Sequence, residues 1–159
     1  AVKVLDVCRQ ASWHTFQLLT KNPKRLLSYD LPPNVWAGFS TPPDFMWGKS
    51  LSIQQQAAKI TTDLDAIKRV KASIRWCSVE PLSWNVTPYF YDCGLNWVVI
   101  GAASNGPKKY QPNPIHVENL LNVLDKQGIP VFFKGNLIWN PWREEFPVVM
   151  SQPTQGILL

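Results

Sequence analysis

Five polar residues stand where chemistry would need them. Lys21, Ser40, Glu80, Ser104 and Lys134 each close or follow an apolar run, and they come from five separate stretches of the chain. One carboxylate opposite two ammonium groups is a charge pattern that can orient an amino acid-like or phosphate-like ligand. Glu80 and Lys134 carry the most weight, because each directly continues a buried run, where a lone charge is expensive. An ion pair that serves structure alone is the competing reading for these two. His14 opens a strand at the opposite edge, and His116 sits in the first turn of a helix. Neither is placed to serve as the base of a hydrolytic triad, so the catalytic residues are left unassigned. There is no CxxC and no Cys/His cluster with metal spacing, so no metal ligand is expected. No Walker or dinucleotide fingerprint occurs either.

Residues this far apart in sequence meet only if the fold collects them. Continuous apolar runs separated by helical patterns are the mark of a parallel sheet covered by helices. A helix is expected over residues 2–11, with Val4, Leu5, Cys8 and Ala11 on one face. The first strand follows at 15–19, then a short helix from Asn22-Pro23 through Leu27. The second strand is 35–39, and the stretch 41–50, with its two prolines, reads as a loop. Ser52 and Gln55 form a capping-box pattern ahead of the clearest helix. Its apolar stripe is Ile53, Ala57, Ile60, Leu64 and Ile67.

The third strand is 73–79, stopped by Glu80-Pro81, and an aromatic connection leads to the fourth at 96–101. A loop spans 102–112, and a helix from Asn113-Pro114 ends at Gly128. The fifth strand is 131–133. Residues 1–135 read as the domain and 136–159 as a tail packed on it. In such folds the carboxyl ends of the strands share one edge, which is where ligands bind. The five polar residues would meet there.

Composition sets broad limits. The 159 residues hold 16 basic and 11 acidic side chains, a net charge of +5 that favours anionic partners such as phosphates or nucleic acid. No window reaches the roughly 18 apolar residues of a membrane span, so no membrane association is expected. Cys8, Cys77 and Cys93 read as reduced packing thiols, and with no leader pattern the expected setting is cytoplasmic.

Several ordered motifs carry a resemblance. They are His14-Thr15-Phe16-Gln17-Leu18-Leu19-Thr20-Lys21 with Pro23 and Arg25, Asn34-Val35-Trp36-Ala37-Gly38-Phe39-Ser40, and Ser78-Val79-Glu80-Pro81-Leu82. Trp97-Val98-Val99-Ile100-Gly101 and Pro130-Val131-Phe132-Phe133-Lys134 complete the order, over about residues 10–135. Together they resemble a bacteriophage-associated radical SAM-like family of unknown function. The resemblance implies five consecutive parallel strand–helix units forming an open or partial (β/α) barrel, the C-terminal part of a radical SAM-like TIM-type barrel. It also implies S-adenosylmethionine and an iron–sulfur cluster held by three cysteines near the N-terminus. This chain has no counterpart for that cysteine segment, so the chain by itself is expected to hold no cofactor cluster. Where the family carries Gly-Gly-Glu-Ser-Gly, this sequence reads Gly101-Ala102-Ala103-Ser104-Asn105-Gly106, with Ala103 in place of the carboxylate.

Three functions compete. The competing readings are the later part of a radical SAM-like enzyme, a nucleic-acid or nucleotide-binding α/β module without catalysis, and an inactive structural fragment. A barrel cut open leaves bare edges on the strands at 15–19 and 131–133. The expected partners are therefore a missing N-terminal segment or a second copy of the chain.

Overall fold

The computed structural model describes residues 2–46, 48–105 and 107–148. Five strands form one sheet: β1 (Phe16–Thr20), β2 (Val35–Ser40), β3 (Arg75–Val79), β4 (Trp97–Ile100) and β5 (Val131–Phe133). They lie side by side in chain order and every pair is parallel. All five carboxyl ends therefore emerge on one edge. Helix α1 (Val2–Gln10) precedes β1, α2 (Ile53–Arg69) links β2 to β3, and α3 (Pro114–Lys126) links β4 to β5. Single 3-10 segments at Pro23–Ser28 and Thr87–Tyr89 lie within the other two crossovers.

Local chemistry explains the helices. The Ser52 hydroxyl accepts from Gln55 N at 3.2 Å while the Gln55 side chain accepts from Ser52 N at 2.9 Å, so the capping box is formed. Asn113 caps α3 by accepting from Ile115 N, with Pro114 in the first turn. Strand ends fall within one or two residues of expectation. The two stretches expected as loops differ more. Each contains a small antiparallel ribbon, Phe45–Met46 with Lys49–Ser50 and Ala103–Asn105 with Lys108–Tyr110. Strands this short carry too little alternation to be read. The α2 stripe also shifts: Ile53 is exposed, while the polar Gln56 and Asp63 are buried on the inward face.

Strand alternation divides the sheet into two chemically distinct faces. Val35, Ala37, Phe39, Cys77, Val79, Val98 and Ile100 pack with Ile60, Leu64, Ile67 and Leu120 of the helices into the main core. The opposite face carries Trp36, Trp76, Trp97 and Val99, with Phe132 against them. Gly38 makes this second layer possible. It pairs with Trp76 across β2 and β3, and the indole lies over it where a Cβ would come within 2.2 Å of Trp76 Cε2.

After β5 the chain folds back. Phe133 N donates to Arg143 O at 2.9 Å, Glu145 N donates to Val131 O at 3.0 Å, and Phe132 bridges Glu144 in antiparallel sense. Residues 143–145 thus cover the edge of β5 that the sequence left bare; the part of the expected tail beyond residue 148 lies outside the described residues. Among the described residues no strand covers the outer edge of β1.

Arg143 ties this strap to α3 through two hydrogen bonds to Asp125, at 2.5 and 2.9 Å. The guanidinium holds the Asp125 carboxyl below its ordinary value. The contribution of this pair to stability is therefore present above the unfolded-chain pKa of about 4 and is lost as pH falls through the lower folded value. Hydrogen exchange at Phe133 and Glu145, corrected for intrinsic rate, should accelerate on acidification from pH 6 to pH 3. Asp125→Asn should show the faster exchange already at pH 6. Equal protection in both proteins across that range would show that the pair does not fasten the strap.

Candidate functional site

Glu80 follows β3 and Lys134 follows β5, one strand apart across β4. Their side chains meet: Lys134 Nζ lies 2.9 Å from Glu80 Oε2. The other carboxylate oxygen, Oε1, accepts from Asn136 Nδ2 at 3.2 Å. Asn136 is fixed in turn, donating to Ala102 O at 2.7 Å and accepting from Ala102 N at 3.2 Å. Gly101 leaves the room this needs, because a Cβ there would come within 2.9 Å of Glu80 Cγ. The result is a carboxylate clamped by one oxygen and engaged with a half-exposed ammonium by the other. The pair is half in solvent, with side-chain exposures of 25% for Glu80 and 48% for Lys134. Opening such a pair costs about 1 kcal/mol or less.

Below this rim lies the tryptophan face of the sheet. A cleft of about 340 Å³ runs over it, lined by Gln17, Trp76, Ser78, Trp97, Phe132 and Phe146 and reaching Glu80 and Lys134. Trp97 anchors the aromatic floor, 5.3 Å from the Trp76 ring and 5.6 Å from Phe146, which stacks on it. Its Nε1 donates to Glu145 O, so the strap also steadies the floor. Trp76 Nε1 is buried with no acceptor. A depression of about 510 Å³ at the opposite edge, lined by residues such as Ile74, Asn96, Gln127 and Pro130, has no ionisable side chain. A further depression, of about 380 Å³, is lined by residues including Asp30, Arg69 and Lys71; the cleft at the carboxyl edge is the one that joins an ion pair to the tryptophan layer among the described residues.

Comparison with protein-family models gives one result. A model described as a protein of unknown function, DUF5131, matches residues 1–156. The chain belongs to that family. Neither the curated proteins nor the solved structures yield a match. DUF5131 carries no activity in its description, so the chemistry of this member has to be argued from its own side chains.

Of the five candidate residues in this DUF5131 chain, the fold joins two in direct contact, Glu80 and Lys134. Ser40 and Ser78 are register partners at the ends of β2 and β3, both buried; Ser78 lines the cleft. Lys21 lies just past β1 at the far side of the sheet, exposed, with its carbonyl accepting from Lys59 Nζ at 3.1 Å. Ser104 is carried away on the second ribbon and does not line the cleft. Asn136, Gly101 and the tryptophan floor are what sequence reasoning missed. A tryptophan at alternate positions of three neighbouring strands was the available signal for the floor.

Asp63 and the three cysteines are structural in setting. Asp63, buried on α2, is pushed up by burial, and its hydrogen bond from Lys59 at 2.7 Å offsets this in part. Burial also pushes the Cys77 and Cys93 thiols up, away from the thiolate form. All three cysteines are free and buried. Among the described residues, no three His, Cys, Asp or Glu side chains gather where a metal could be held. No helix among the described residues is long and apolar enough to cross a membrane.

Proposed function

We propose that the chain is the ligand-binding part of a barrel-type enzyme, and that its cleft holds a small molecule with an amino acid-like head. The observation that carries this reading is the Glu80–Lys134 pair, set above an aromatic floor and open to solvent. A zwitterionic head replaces the pair's internal contact with two of its own: its ammonium takes Glu80 Oε2, and its carboxylate takes Lys134 Nζ. Asn136 keeps Glu80 in position during the exchange. Phe132 and the small exposed parts of Trp76 and Trp97 give the cleft an apolar wall for the rest of such a molecule, and the cleft volume is that of a small-molecule site. Five parallel strands in chain order are also what consecutive units of a (β/α) barrel provide.

S-adenosylmethionine has this head and a planar base, and the resemblance to radical SAM-like proteins makes it the ligand to try first. In that chemistry the sulfonium compound, once bound, supplies the radical that attacks a substrate. The part assigned to these residues is narrower: to bind and orient the head group. An iron–sulfur cluster does not fit the described residues. It requires convergent thiolates, whereas Cys8 is in α1, Cys77 in β3 and Cys93 in the connection to β4, all buried. No step is assigned to it.

Titration calorimetry with S-adenosylmethionine under anaerobic conditions tests the reading without needing turnover. Saturable binding that is lost on Lys134→Ala is expected. Heat indistinguishable from dilution, for this compound and for free methionine alike, would leave Glu80 and Lys134 as a structural ion pair.

A further inference from the structure

The second ribbon does not line the cleft, yet both of its ends grip the turn that carries Asn136. Its first strand starts at Ala103, directly after Ala102, whose N–H and carbonyl are both bonded to the Asn136 amide. Its second strand, Lys108–Tyr110, returns antiparallel, with Tyr110 opposite Ala103. The returning chain then meets the same turn from its other end. Lys109 Nζ donates to Gly135 O at 3.3 Å, and Gln111 Nε2 donates to Asn136 O at 3.0 Å. Gln111 Oε1 accepts from Ile138 N at 2.8 Å. One side chain thus bridges the main chain on both sides of Leu137, which is buried.

Among the described residues, the hydrogen bonds that reach residues 135–138 from elsewhere in the chain involve Glu80, Ala102, Lys109 and Gln111. Apart from Glu80 itself, every one of these partners belongs to the ribbon or directly flanks it. The bond at stake is sensitive to small movements. Asn136 Nδ2 stands 3.2 Å from Glu80 Oε1, at the long end of the range for such bonds. A modest backbone shift at Asn136 is enough to lose it.

We infer that Gln111 is a positioning residue for the Glu80 carboxylate, acting through Asn136, with the second ribbon as the clasp that brings it to the turn. The inference rests on the reading of Glu80 and Lys134 as a head-group site. Gln111 does not line the cleft; it sets where the Asn136 amide sits, and the amide sets Glu80. Without that hold Glu80 keeps its charge but loses its fixed aim. Ordering the carboxylate then falls to the ligand, which lowers affinity. A Gln111 that only closes a surface turn would have no such link to Glu80.

Two measurements on the full chain test this, and the first needs no ligand. The side-chain amide signal of Asn136, labelled with nitrogen-15 and assigned from Asn136→Ala, should move on Glu80→Gln and also on Gln111→Ala. Gln111 is exposed, so its truncation should leave the fold intact. A signal that Gln111→Ala leaves in place would overturn the inference. The second is calorimetry with S-adenosylmethionine and with 5′-methylthioadenosine, which has no amino acid head. Gln111→Ala should weaken the first about five-fold, the scale of one net hydrogen bond, and leave the second unchanged. In an Asn136→Ala background the same substitution should do nothing further, because the two residues act in series. Equal losses for both compounds, or an undiminished loss without Asn136, would also overturn it. Should the unsubstituted protein bind neither compound, the head-group reading fails, and the Asn136 amide signal still decides whether Gln111 sets Glu80.

Discussion

Gly38→Val should destabilise the protein by about 3 kcal/mol or more, at or beyond the upper end of what overpacking usually costs. The added Cβ would sit 2.2 Å from Trp76 Cε2 and 2.4 Å from Nε1, far inside van der Waals contact. The indole cannot simply step aside, because it is buried between the β2 backbone and Trp97. The backbone cannot yield either, because Gly38 is paired to Leu19 of β1 on one side and to Trp76 of β3 on the other. Denaturant unfolding gives the cost directly. Combining Gly38→Val with Trp76→Leu should recover part of it, a coupling of roughly 1–3 kcal/mol for residues in contact. Strict additivity would mean that the indole is not what Gly38 accommodates.

Glu80→Gln should weaken binding of a zwitterionic ligand by about 10- to 100-fold, the usual range for losing a hydrogen bond to a charged group. Overall stability should change by less than about 1 kcal/mol, since the pair it disrupts is partly exposed. The split between the two readouts is the informative part. A purely structural pair would move stability and leave ligand affinity alone. The analogue 5′-methylthioadenosine lacks the amino acid head and should bind both proteins equally. A parallel loss for that analogue would place the effect on the base or sugar instead of the head group.

Sequence made some of this visible and concealed the rest for physical reasons. The capping box of α2 is a local device complete within four residues, so Ser52 and Gln55 announced it and both hydrogen bonds are formed. Glu80 and Lys134 were legible because charges that continue apolar strands must end at the rim. Their contact across β4 needed only parallel order, which the strand–helix alternation supplied. Asn136 was not legible. It lies in a turn after β5, and its partners Glu80 and Ala102 are tertiary. Ser104 follows β4 as expected, but the chain there enters a ribbon, a tertiary turn that no local pattern encodes. The covered edge of β5 was hidden as well. The strap depends on Arg143 finding Asp125 on α3, a pairing that no local pattern encodes.

The cleft itself can be watched through its indoles. Nitrogen-15 labelling of tryptophan gives a separate indole signal for each of the 8 tryptophans, with Trp76 and Trp97 assigned from single phenylalanine variants. On addition of S-adenosylmethionine, the Trp76 and Trp97 signals should shift together and saturate, while the exposed Trp13 and Trp142 signals stay in place. Lys134→Ala should abolish those shifts. Saturable binding that leaves both cleft indoles unmoved, or that moves them equally in Lys134→Ala, would contradict a head-group site at Glu80 and Lys134.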